Sequence, residues 1–153
     1  MNRQQLLQKL DKAWAEIKDS YAGLSDAQLT EPGVMGDWSV KDILAHLTWW
    51  EEEALKHLPG IINGDRPLRY STQYGGIDAF NALMAERKHD LSLADVLQQQ
   101  EATHHRLTDY LHSVPEAQFT RETRFRHRLR LDTYSHYRQH AKAIREWRAR
   151  SVG

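Results

Sequence analysis

Apolar residues recur at steps of three and four at Leu6, Leu10, Ala13, Ile17 and Tyr21, the stripe of a helix buried along one side. This predicts a first helix that ends near Gly23. Pro32, Gly33 and Gly36 then punctuate a connection. Ser39 and Asp42 form an S-x-x-D capping signal, and the stripe resumes through Ile43, Leu47, Trp50, Ala54 and Leu58. A second helix is expected over about 39–58. From Pro59 to Ile77 the chain carries two prolines and four glycines with little periodicity, which predicts a long connection. The stretch "IDAFNALMAERKHD" begins a short helical piece. Ser92 opens a third helix, with Val96, Leu97, Leu107 and Leu111 on one stripe, closed before Pro115. A fourth helix is expected from about Asp132 to Arg148, with Tyr137, Ile144 and Trp147 facing inward.

One segment breaks the helical period. In "TRFRHRLRL", Arg124, Arg126, Arg128 and Arg130 alternate with Phe125, His127, Leu129 and Leu131. Strict alternation predicts an extended segment with one apolar and one cationic face, just before the fourth helix. Four amphipathic helices without a convincing hairpin predict an all-α fold, a four-helix bundle, in a single domain spanning residues 1–153. Four of the five tryptophans, Trp38, Trp49, Trp50 and Trp147, read as core.

Charge narrows the partners. Lysine plus arginine and aspartate plus glutamate number 21 each, so no global field draws the chain to nucleic acid or to an anionic membrane. No apolar run approaches a membrane span, and the N-terminus mixes charge into its apolar positions from the start. The expectation is a soluble cytoplasmic protein that acts on a small molecule. Cysteine is absent, which removes disulfides, a cysteine nucleophile and thiolate ligands together. Any metal is therefore held by nitrogen and oxygen.

The chain has nine histidines, enough to give roughly half a coincidental i,i+4 pair, so spacing alone does not single out His136 and His140. Their position does. At about 100° per residue both share a sector with Trp147, facing the bundle interior. Imidazoles one turn apart converge and can share a metal ion, provided a third ligand comes from another helix. His46, at the edge of the second stripe, is the best candidate. The alternative is that these histidines are buried groups satisfied by backbone carbonyls or by one another. His104, on the inner stripe of the third helix, is a competing ligand or a pocket-lining residue. His57, His89, His105, His112 and His127 read as surface or loop residues. Trp50 and Glu53 are expected to line a substrate pocket, with Glu53, two turns on from His46 on the same face, the candidate general base. For an anionic substrate, Arg126 and Arg128 are the cations to consider.

"GDWSVKDILAHLTWWEEEAL" followed about ninety residues later by "HYRQHAKAIREW" resembles the DinB/YfiT-like superfamily of four-helix-bundle metalloenzymes, and its ClbS/DfsB-type branch, over nearly the whole chain. The resemblance implies an up-down-down-up bundle, a metal triad of His46, His136 and His140, zinc or nickel as the ion, and a homodimer. Members of the superfamily include thiol transferases that use mycothiol or bacillithiol, and a maleylpyruvate isomerase. The related branch includes proteins that protect producers from a cyclopropane-bearing genotoxin. The isomerase group carries glutamate where this chain has His136, which argues against that activity. The expected function is a metal-dependent enzyme that activates water or a low-molecular-weight thiol, for transfer to or hydrolysis of a small electrophile. The alternatives are a small-molecule binding or self-protection protein and a non-catalytic dimeric bundle.

Overall fold

The computed structural model describes residues 1–151, so the expected domain limit at residue 153 lies outside them. Among the described residues there are nine helices and no strand, with one isolated bridge between Met35 and Trp38. The four long helices are α1 (Arg3–Tyr21), α3 (Val40–Ile62), α6 (Leu93–His112) and α9 (Tyr134–Ser151). Between them lie α2 (Asp26–Leu29), α4 (Tyr70–Gln73), α5 (Ile77–Lys88), α7 (Ala117–Thr120) and α8 (Arg124–Asp132). Helix α1 packs chiefly on α9, and α3 on α6, with α5, α8 and α9 also against α3. The all-α expectation is met.

Local chemistry sets the helix starts. Ser39 accepts the Asp42 amide while the Asp42 carboxylate accepts the Ser39 amide, the reciprocal capping box read from the sequence. Ser92 caps α6 in the same way through the Asp95 amide. The seam between α1 and α9 is filled by Leu6, Leu10, Ala13 and Ile17, all wholly buried, meeting Tyr137, Ala141 and Ile144. A second, aromatic cluster of Trp49, Trp50 and Phe80 joins α3 to α5.

Two expectations are corrected. Helix α3 does not stop at Leu58 but continues through Pro59 to Ile62. Proline inside a helix costs about 3 kcal/mol. Burying Ile61 beyond it recovers about 2–3 kcal/mol, so the core can carry the helix past the breaker. The arginine-rich segment is not extended but forms helix α8. Thr123 caps it by accepting the Arg126 amide, and its buried residues Phe125, Leu129 and Asp132 fall at steps of four and three. Leu131, which completed the apparent alternation, is half exposed.

The core also contains an ionisable group. Glu51 of α3 is completely buried, and His104 Nδ1–H of α6 donates to its carboxylate at 3.0 Å. The His104 ring stacks on Trp14 at 3.7 Å, 3° from parallel, which fixes its plane. Burial pushes the Glu51 carboxyl up, and the His104 hydrogen bond opposes this. A pair of this kind binds two helices together but cannot lose one member cheaply. His104→Ala is expected to destabilise the protein by on the order of 3 kcal/mol in urea unfolding, because it strands the carboxylate. The double replacement Glu51→Leu with His104→Leu should cost clearly less than His104→Ala alone; an equal or greater loss would contradict this account.

Candidate metal centre

The Ser39 cap fixes where α3 begins, and two turns later its stripe edge carries His46 to the seam with α9. There His46 Nε2 lies 2.8 Å from His136 Nε2, and His140 Nε2 lies 3.0 Å from His136 Nε2. One donor nitrogen from each of the three histidines falls within 4.8 Å of the others. His46 and His140 are buried, at 5% and 3% exposure, and the edge of Trp49 stands against the His46 ring. The structure thus brings together the three histidines named from the sequence.

Two Nε2 atoms at hydrogen-bond distance from the same third one cannot both be satisfied by it. A neutral imidazole nitrogen either donates or accepts, so His136 Nε2 can form a normal hydrogen bond to one neighbour but not to both. The rings are held neutral. Burial, with repulsion from His136 and His140, pushes His46 down to about 2. Burial and His140 push His136 down to about 3, and burial alone takes His140 to about 4. Neutral rings whose nitrogens converge are the donor set a divalent ion uses, with N–metal distances of about 2.0–2.1 Å for zinc. The residues therefore fit a metal. The outer Nδ1 atoms of His46 and His140 are buried and have no partner among the described residues, so no protein acceptor orients those two rings from behind.

The cluster forms part of the lining of a cavity of about 510 Å³. Trp38, Trp50 and Tyr70 form aromatic wall, Asn81, Arg128, Asp132 and Gln139 supply polar groups, and Met35, Ile77 and Leu131 stand at its edge, partly exposed. Of the expected pocket residues, Trp50 lines this cavity, whereas Glu53 and His104 lie outside its lining. Glu53 accepts from the Tyr70 hydroxyl at 3.0 Å and lies 3.7 Å from His57 Nε2, behind the wall. His104 is committed to Glu51 inside the core. The two arginines separate as well: Arg128 faces the cavity, whereas Arg126 pairs with Glu122 beside a different surface hollow.

Asn81, Tyr70, Asp132 and Gln139 were not anticipated. Gln139 is an exposed residue of α9 at the cavity's rim, next to His140 in the chain. The other three reach the site through α4, α5 and α8, whose placement no local pattern reveals. Asp132 accepts from Arg128 Nε at 2.6 Å, and Arg128 Nη2 donates to the Tyr70 hydroxyl at 2.7 Å. Burial pushes the Asp132 carboxyl up to about 6, against the pull of Arg128.

The family model of the DinB superfamily matches residues 5–147. The chain belongs to the DinB superfamily. Among curated proteins none matches it in sequence. Three solved structures share the DinB-like fold at low identity. One, described as the sibling lethal factor precursor DfsB, is 12% identical with a TM-score of 0.82, covering 98% of this chain and 96% of that one. An uncharacterised protein from Escherichia coli UTI89 is 15% identical with a TM-score of 0.82, covering 99% and 95%. The colibactin self-resistance protein ClbS, in complex with a dsDNA, is 12% identical with a TM-score of 0.78, covering 95% and 94%. Among the described residues, no helix is long and apolar enough to cross a membrane.

The Asp132 shift gives a signed pH dependence. Its folded value lies above the usual 3.8, so protonation favours the folded state, and that stabilisation is lost as pH rises through about 6. Between about pH 7 and about pH 5, metal-free wild type should gain on the order of 1 kcal/mol relative to Asp132→Asn in urea unfolding. A difference that stays constant or moves the other way would refute the assignment.

Proposed function

We propose that this DinB-superfamily chain is a metal-dependent enzyme in which His46, His136 and His140 hold one divalent ion, zinc or nickel. The observation that carries the reading is the convergence of three neutral imidazoles, two buried and His136 half-buried, whose nitrogens cannot satisfy one another. A bound divalent ion supplies Lewis acidity and lowers the pKa of a water or thiol held beside it. Because the chain has no cysteine, a thiol nucleophile has to come from a soluble low-molecular-weight cofactor. The protein's own residues bind and orient. Trp38, Trp50 and Tyr70 hold the apolar body of a small electrophile and exclude water from it, while Asn81 and Arg128 offer donors to its polar end. The reaction is transfer of the thiol to that electrophile, or its hydrolysis, in a cytoplasmic homodimer.

A second reading is binding without turnover, as self-protection against a reactive molecule. The names of the DfsB and ClbS structures favour it, since one is called a sibling lethal factor precursor and the other a self-resistance protein. Multiple turnovers per chain with a thiol and an electrophile support the enzyme; stoichiometric loss of electrophile supports sequestration. In both readings the proposed partner is a small molecule, because the balanced charge gives no general attraction for a polyanion. A salt-dependent gel shift of duplex DNA would overturn that part.

The metal itself is tested by elemental analysis of protein made without a histidine tag. Wild type should carry about one equivalent of zinc or nickel, and His140→Ala less than about 0.2, since two ligands form a poor site. Wild type with as little metal as His140→Ala would remove the enzyme reading's foundation.

A further inference from the structure

Arginine in a pocket suggests an anionic substrate, but the wiring of Arg128 points elsewhere. Among the residues that line the cavity, Arg128 and Asp132 are the two that carry formal charge, and they are bonded to each other at 2.6 Å. Arg128 also donates to Tyr70, whose hydroxyl donates onward to Glu53 at 3.0 Å. The positive charge is thus met by Asp132 directly and by Glu53 through one hydroxyl. What remains of Arg128 is donor capacity: both Nη1 hydrogens and one on Nη2 have no partner among the described residues.

Asn81 carries the same message with a fixed polarity. Its Oδ1 accepts from Trp49 Nε1–H at 3.2 Å and from Trp50 Nε1–H at 2.9 Å. Two indole donors occupy both lone pairs of that oxygen and settle which end of the amide is which. The Nδ2 hydrogens have no partner among the described residues, and Asn81 lines the cavity. The polar side of the pocket therefore presents unclaimed N–H groups around a neutralised charge, opposite aromatic walls and an apolar edge. An anion entering it would shed its water and find the one cation already shared by two carboxylates.

We infer that the pocket takes an uncharged carbonyl compound with an apolar body, such as an amide, ester or enone, whose oxygen is read by Asn81 and Arg128. This deepens the proposed function and rests on its claim that the cavity is the substrate site. The same N–H groups would withdraw electrons from the carbonyl they bind, so recognition also activates the electrophile. A carbonyl oxygen uses both donors without adding charge, whereas an ammonium ion offers them no acceptor.

Three probes of nearly one shape separate the possibilities: 4-phenylbutanamide, 4-phenylbutyrate and 4-phenylbutylammonium. Each is titrated near neutral pH into EDTA-treated full-length protein, with binding followed by the Trp49 and Trp50 indole N–H signals in two-dimensional NMR. Removing metal keeps a carboxylate from simply ligating the ion. The amide is expected to bind about tenfold more tightly than either charged probe, the size of one to two well-placed hydrogen bonds. Asn81→Asp keeps an acceptor for both indoles but loses the donors, and should abolish that advantage. Arg128→Lys keeps a charge opposite Asp132 but loses the fork, and should weaken the amide several-fold even where Asn81→Asp does not fold. Arg126→Gln should change nothing. Tighter binding of the butyrate, no indole shift with any probe, or amide affinity unchanged in both pocket variants would overturn the inference. Its failure differs from failure of the metal reading, which is scored by zinc content in untreated protein and leaves the order of the three probes intact.

Discussion

Helix α3 is covered on nearly every side, and most of the buried polar side chains it carries are answered from neighbouring helices. Of its 23 residues, 12 are buried, including His46, Thr48 and Glu51. A buried polar group without a partner costs on the order of 1–3 kcal/mol, so these positions dictate what stands opposite them. His104 on α6 answers Glu51, and the two histidines of α9 meet His46. Asn81 on α5 answers the indoles of Trp49 and Trp50. Thr48 answers itself, donating back to the Leu44 carbonyl within the helix. The surrounding helices are thus held in register by hydrogen bonds as well as by apolar packing.

The two buried ionisable clusters on α3 differ in kind. Glu51 and His104 are complementary, one accepting and one donating, and His104 is braced by the stacked face of Trp14. That pair is a structural joint. The three histidines are alike, neutral and mutually unsatisfiable, which makes a poor joint and a good receptor for a positive ion. Geometry thus separates a cluster whose polar atoms answer one another from one whose nitrogens converge without doing so. The same distinction runs through the cavity wall, where Asn81 Oδ1 is consumed by structure and its amide nitrogen is left over.

Much of this was readable along the chain. The caps at Ser39 and Ser92, the stripes of the four long helices and the inward sector shared by His136 and His140 depend on spacings of three and four residues, which sequence displays directly. Glu51 occupies the stripe running from Leu47 through Ala54 to Leu58, but it stands in a run of three glutamates with Glu52 and Glu53, and local pattern does not single it out. The arginine segment misled because nine residues are too few to separate period two from period 3.6 when every second residue is arginine. Phe125 and Leu129 fitted both patterns, and Thr123 as a cap was the deciding signal. What no local pattern could supply was the meeting of Tyr70, Asn81 and Arg128, which come from three separate elements and touch only once tertiary packing has placed α4, α5 and α8.

Helices α8 and α9 would be one continuous rod but for Thr133, where the backbone turns to φ −128° and ψ −101°. In an unbroken helix Asp132 would sit one turn below His136 on the same face, a carboxylate oxygen offered to the same ion. Asp132 instead accepts from Arg128, one turn back along α8. Under the proposed function, Thr133 thus separates α9, which carries two of the three metal-ligand candidates, from α8, which carries the cavity's Arg128 and Asp132. A lineage could rewrite the second while leaving the first untouched, which is how a single scaffold comes to serve many substrates.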